Sequence, residues 1–335
     1  MANNSLIIHV PHASTIISEE YYSDILLSNH ELNEEIAWST DLYCDEIFNI
    51  GSGVMVTADF SRLVCDVERF RDDDMEFCSK SGNGVFYTNT LRGRPLRTTN
   101  ERIKEKALDL YDKHHERFTR VVGDALEEYN KCLIIDAHSF CNDLIVGRDL
   151  PDICIGVDEF HTPSLLTKSA QSFLDNKGYK AAINYPYSGA IVPFNYYKKD
   201  KRVLSIMIEI NKRLYLDSAL SSKLDMFSKI KSDIAELVET LFSEFIRLNN
   251  SFGCQQTNEI KLVVNDFQAF ELCAALKYYR REMESFHAKS DHKTNSKGNT
   301  IDSGALSNQC IISEKIVKHL DVIIKQIYKQ WPDFK

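Results

Sequence analysis

An apolar run of strand length, Lys131-Cys-Leu-Ile-Ile-Asp-Ala-His-Ser-Phe140, carries Asp136, His138 and Ser139 at its end. This is the pattern of a buried strand that delivers polar side chains to its carboxyl edge, where open α/β sheets bind ligands. A strand holds an imidazole there with little freedom to move. Asp136 and His138 lie two apart, so both leave the same face. The bland alternative is a solvated aspartate and a core histidine with a satisfied ring. A second histidine, His12, follows the short strand Leu6-Ile-Ile-His-Val10 and its stop at Pro11. If the two strands run parallel, His12 and His138 share one sheet edge, while His9, inside its strand, is assigned to packing. The third candidate is Glu209, in Val203-Leu-Ser-Ile-Met-Ile-Glu-Ile210. It projects from the face opposite Ile206, Ile208 and Ile210. A carboxylate there is costly to bury unless a cation, a metal or a hydrogen-bond network receives it.

The elements between these residues alternate strand and helix. Apolar spacing predicts one helix over Glu31–Phe48, with Asp41 inside it, and strands at Val54–Ala58 and Arg62–Asp66. Gly82-Asn-Gly84 and Gly93-Arg-Pro-Leu96 mark loops. Thr98-Thr-Asn-Glu101 offers a capping box for a long helix that runs to Tyr129 and feeds the His138 strand. Further on, Asp152–Val157 reads as a strand, Thr162-Pro163 opens a helix closed by Gly178, and Lys180–Tyr185 returns as a strand. The fold class is α/β.

With 335 residues the chain is long for one core but within reach of an α/β domain with an appendage. Charged residues at 27% and hydrophobic ones at 43% describe an ordinary globular protein, with no apolar run approaching the ~20 residues of a membrane helix. The first residues lack the basic start of a secretory signal, so a cytoplasmic location is the expectation. Nine cysteines without a Cys-x-x-Cys pair read as reduced core residues. A net charge of −9 with dispersed basic residues argues against nucleic acid as a partner.

Taken in order, several short pieces resemble the N-formylglutamate amidohydrolase family, a branch of the phosphorylase/hydrolase-like α/β fold that also holds the zinc carboxypeptidases. The pieces are Val10-Pro-His-Ala-Ser14, the Asp41 segment, Ser61-Arg62 with Asp66-Val-Glu-Arg69, Gly84-Val-Phe-Tyr87, Gly93-Arg-Pro95, His115, Asp136-Ala-His-Ser139, Pro151-Asp152, Pro186-Tyr-Ser-Gly189 and Ile208-Glu-Ile-Asn-Lys-Arg-Leu-Tyr215. The resemblance covers roughly Ile7 to Asp217. It implies a mixed sheet flanked by helices and one zinc ion, whose open position takes a water acidified toward neutrality. His12 and His138 are the ligands expected from it. The residue three after His12 is Thr15 and not the acid of the carboxypeptidases, so Asp41 is the third ligand expected. Glu209 is then the general base and Arg62 the oxyanion partner. Arg69, Arg94 and Arg213 are expected to clamp substrate carboxylates, with Tyr187, Ser188 and Gly189 in the same substrate site. The substrate implied is a small acidic N-acyl amino acid such as N-formylglutamate.

Three features depart from the family pattern. Glu68 stands where many relatives have Asn, and could repel a carboxylate. Ala13-Ser14 follows His12 where Gly is usual. Residues from Ser218 onward lie outside the family core. There Ser218–Asn249 is a long amphipathic pattern, and helical patterns at 265–286 and 313–331 flank a loop near 287–307. The division expected is 1–249 for the α/β domain and 250–335 for a helical appendage, the surface for any protein partner or self-association. Two other function classes compete with the zinc amidohydrolase. One is a non-catalytic binding or regulatory module. The other is a metal-free hydrolase built on Ser139 or Ser188, against which the lack of a Gly-x-Ser-x-Gly elbow counts.

Overall fold

In a computed structural model that describes residues 4–98, 100–142 and 149–253, six strands form one sheet in the order β2-β1-β3-β6-β4-β5. They are β1 (Leu6–Val10), β2 (Val54–Thr57), β3 (Cys132–Phe140), β4 (Ile153–Gly156), β5 (Ala181–Ile183) and β6 (Val203–Asn211). The β2-β1-β3-β6 half is parallel, and only β4 against β6 is antiparallel. His12 and His138 therefore do follow parallel strands to one edge.

The helices are α1 (Asn29–Ser39), α2 (Cys44–Ile47), α3 (Glu101–Tyr129), α4 (Ser164–Lys177) and α5 (Phe227–Gly253). Both sheet faces are covered, as a largely parallel sheet requires. On one face, Leu133, Ile135, Ile206, Ile208 and Ile210 pack with α4 and α5 residues such as Leu166, Ile234 and Leu241. On the other, Ile7, Cys132, Ile134 and Val203 pack with Phe118, Val122 and Ala125 of α3. Strand alternation assigns Asp136, His138 and Glu209 to the α3 face. Along that face the side chains change from aliphatic to polar toward the carboxyl edge. A further cluster, including Leu63, Val64, Val85, Tyr87 and Leu96, packs under the first turns of α3 through Ile103, Ala107 and Tyr111.

Four local expectations are corrected. The predicted helix over 31–48 is broken: Thr40 is extended, Tyr43 takes a left-handed φ of 65°, and Asp41 sits in the break between α1 and α2. The Asp41 amide donates to the His12 carbonyl at 2.8 Å, a bond that a continuous helix would forbid. Arg62–Asp66 is a turn and not a strand, because Ser61 Oγ accepts from the Leu63 amide and the Ser61 carbonyl from the Val64 amide. The long helix is capped by Asn100, whose side chain accepts from the Ile103 amide. Ser218–Asn249 becomes helical only from Phe227. No described helix is long and apolar enough to cross a membrane. The six described cysteines are free thiols. The patterns at 265–286, 287–307 and 313–331 lie outside the described residues.

Candidate functional site

The Asp41 carboxylate lies between the two edge histidines. Its Oδ2 is 3.1 Å from His138 Nδ1 and 3.6 Å from His12 Nδ1, and the ring centroids are 5.2 Å apart. Donor atoms on a tetrahedral zinc ion stand roughly 3.4 Å apart, so the Asp41 oxygen lies at a ligand-like distance from each ring nitrogen. The opposite ring nitrogens are held from behind. His12 Nε2 meets Asp66 Oδ1 at 2.8 Å, and His138 Nε2 meets Asp136 Oδ1 and Glu68 Oε2, each at 3.1 Å. Tying Nε2 to a carboxylate sets the tautomer and aims the Nδ1 lone pair at the ligand. His12 Nδ1 is buried without a hydrogen-bond partner. Among the described residues, the grouping of His12 and His138 whose donor atoms all lie within 4.8 Å of one another is completed by Glu68 and not by Asp41. Glu68, however, meets the His138 nitrogen that Asp136 already shares, and so belongs behind the ring.

Asp66 is the hub of the site and was missed as a functional residue in the sequence. It accepts from His12, from Arg62 Nη2 at 2.6 Å, from the Tyr87 hydroxyl at 2.8 Å and from the Glu68 amide at 3.0 Å. Burial opposes its charge, but Arg62, His12 and Arg69 together hold its carboxyl well below the usual range. The sequence signals were its place in the family-like piece Asp66-Val-Glu-Arg69 and the i, i+4 spacing from Arg62. Behind His138, His9 stacks on Phe118 with centroids 4.5 Å apart, and its nitrogens meet Asp136 at 3.2 Å and His114 at 3.0 Å. Its packing role is thus joined to a polar one.

Glu209 pairs in register with His138 across β3 and β6. Its Oε2 is buried and unpartnered. Burial pushes its carboxyl up to about 8, against the pull of His138 and helped by the negative charges of Asp41, Glu68 and Asp136. His138 shows the reverse balance: burial would lower its pKa, yet Glu68 and Asp136 raise it well above 6.5.

A cavity of about 850 Å³ collects His12, Asp41, Arg62, Arg69, His138, Tyr187, Ser188, Gly189 and Glu209. Arg94 and Arg213 are absent from its lining. Arg94 pairs with Glu31 at 2.9 Å and Arg213 with Asp152 at 2.7 Å, both near the surface, so neither is placed to clamp a ligand there. Ser139 leaves the opposite face of β3 from His138. Among the described residues no side-chain hydrogen bond joins Ser139 or Ser188 to a histidine, so nothing in the geometry favours the serine-hydrolase reading.

Lys212, at the end of β6, is buried and donates to the carbonyls of Thr40 at 2.6 Å and Trp38 at 3.1 Å. It ties the Glu209 strand to the break that carries Asp41. Lys212→Met is expected to cost about 1–3 kcal/mol by leaving those carbonyls unsatisfied, and to weaken metal binding as Asp41 loosens. Chemical denaturation with a parallel metal titration checks this. Unchanged values in both would deny the link.

The fold and site define an α/β protein with a cluster of histidines and carboxylates at the carboxyl edge of its sheet. The sequence profile of N-formylglutamate amidohydrolase matches residues 4–216, well over half of the chain, and the protein belongs to that family. Membership supports an enzyme that hydrolyses amide bonds. Among solved structures the chain is similar to N-formylglutamate amidohydrolase from Ralstonia eutropha JMP134, at 19% identity and a TM-score of 0.65, over 74% of this chain and 96% of that one. A gene product of Agrobacterium tumefaciens is similar at 19% identity and a TM-score of 0.56, over 73% and 92% respectively. No curated protein matches.

Proposed function

We propose that this chain is a metal-dependent amidohydrolase that cleaves an N-acyl amino acid, with His12, Asp41 and His138 holding one divalent ion. The carrying observation is that two imidazole Nδ1 atoms face one carboxylate oxygen while both Nε2 atoms are held by carboxylates behind. The donor set of nitrogen and oxygen and the orphaned His12 Nδ1 fit such an ion, zinc being the first to test. Bound there, it would supply an acidified water and polarise the amide carbonyl.

The chain's own residues do the rest. Arg69 lines the cavity with only its Nε engaged, on the Asn83 carbonyl, and offers its terminal nitrogens to the substrate carboxylate. Arg62 keeps Nη1 outside its pair with Asp66 and offers it to the carbonyl oxygen. Glu209 Oε2 takes the proton of the attacking water and passes it to the departing nitrogen. The amide C–N bond breaks, hydroxide goes to the acyl carbon and the proton to the amine, with water as the only co-reactant.

The test is release of formate and glutamate from N-formylglutamate, the reference compound, by protein loaded with Zn²⁺. Loaded protein that cleaves no N-acyl amino acid would overturn the reading. A pH effect on metal uptake is also expected. Asp66 raises the His12 pKa against burial and Arg62, and His138 is raised too, so both rings tend to carry protons that the ion must displace. Apparent affinity should therefore climb roughly ten- to hundredfold per pH unit near neutrality, one decade per proton released. Calorimetry in buffers of differing ionisation enthalpy counts the protons. Uptake with none released would contradict the assignment.

A further inference from the structure

Building on the amidohydrolase reading, we infer that the preferred substrate is an N-acyl amino acid with a single carboxylate and a bulky apolar group, seated against an aromatic rim formed by Phe70, Phe77 and Phe194. Size is the first argument. The cavity, at about 850 Å³, lies in the upper part of the ~300–1,000 Å³ range of ordinary ligand pockets and leaves room for a bulky substituent.

Charge is the second argument. Three cations line the cavity, and two are committed. Arg62 gives Nε and Nη2 to Asp66, and Lys212 gives its ammonium to backbone carbonyls. Arg69 is engaged through its Nε, on the Asn83 carbonyl and 3.6 Å from Asp66 Oδ2, and keeps its terminal nitrogens for a carboxylate. Asp41, Glu68 and Asp136 line the same space, so a second substrate carboxylate would lie near these carboxylates with no second uncommitted guanidinium to receive it. The two arginines expected to receive it, Arg94 and Arg213, are held by Glu31 and Asp152.

Apolar surface is the third. Phe70, Phe77 and Phe194 line the cavity yet are 43%, 81% and 47% exposed. Phe70 and Phe194 lie with ring centroids 6.2 Å apart, and Phe194 stacks on His115 at 5.5 Å. Exposed apolar residues gathered at one concave place mark a binding surface. Phe70 directly follows Arg69 in the chain, and both line the cavity.

The apolar group could sit on the amino-acid side chain or on the acyl group, and substrates separate the two. For metal-loaded full-length protein, kcat/KM is compared for N-formylphenylalanine, N-benzoylglycine and N-formylglutamate. A preference of roughly tenfold or more for either apolar compound, the scale on which hydrophobic pockets discriminate, is expected and tells which side faces the rim. Equal or better turnover of N-formylglutamate overturns the inference and leaves the amidohydrolase reading intact. If none is cleaved, that reading falls, and calorimetry decides the inference separately. Binding of an apolar compound but not of N-formylglutamate keeps it, and any other pattern sinks it. In Phe70→Ala and Phe194→Ala proteins with wild-type melting, the apolar-to-acidic ratio of kcat/KM should drop about tenfold. An unchanged ratio in both removes the rim from recognition.

Discussion

Glu209→Gln protein is expected to fold, to bind its metal and to turn over at least ~10²-fold more slowly, the share that general-base catalysis commonly supplies. Glutamine has nearly the same shape, so the packing of β6 survives the change. What is lost is a buried oxygen able to accept a proton, and Glu209 Oε2 has no other partner to explain it. Full activity in the Gln protein would remove Glu209 from the mechanism. The substitution also has a stability signature without metal. The native carboxyl titrates near 8 while its ordinary value is 4.5, so between those values the native state holds a proton that the unfolded chain has released. Stability then falls as pH rises through that window. The Gln protein lacks this share of the slope, so without metal it should gain on the parent in thermal melts from pH 5 to pH 9.

The second large effect concerns the ligands. His12→Ala, Asp41→Ala and His138→Ala should each take bound metal from about one ion per chain toward none and abolish turnover, since a site of three protein ligands does not survive on two. Asp66→Asn should be milder. It leaves all three ligands but disturbs the carboxylate that aims His12, and such a loss typically costs ~10- to 100-fold in metal affinity. Elemental analysis and metal titration of the four proteins separate ligand from positioning residue. If Asp41→Ala keeps its metal while Glu68→Ala loses it, the ion uses the Glu68 side of the histidines.

Much of this site was readable because strands expose their chemistry through periodicity. The apolar run before His138, the stop at Pro11 before His12 and the alternation around Glu209 each marked one place on a sheet edge. Parallel pairing then brought them together. Residues whose role depends on partners distant in sequence were not readable. Arg94 and Arg213 looked like substrate clamps because Glu31 and Asp152, their actual partners, lie 63 and 61 residues away. Asp66 looked like a strand end, since the turn that gathers Arg62, Tyr87 and His12 around it has no repeating pattern. Asp41 was placed inside a helix because the left-handed Tyr43 that follows the break leaves no signal in apolar spacing.

The two faces of β3 and β6 differ in what they ask of a residue. Toward α5, Leu133, Ile135, Ile206, Ile208 and Ile210 need only volume and shape. Toward α3, Asp136, His138 and Glu209 need particular atoms. Aliphatic swaps of similar size should be tolerated on the first face at under ~1.5 kcal/mol, while on the second even isosteric changes should be felt in function before stability. Tolerance to substitution along each strand should thus alternate with a period of two. An engineer could rebuild the α5 face for robustness, or the α3 edge for a new substrate, as two nearly separable problems in one sheet.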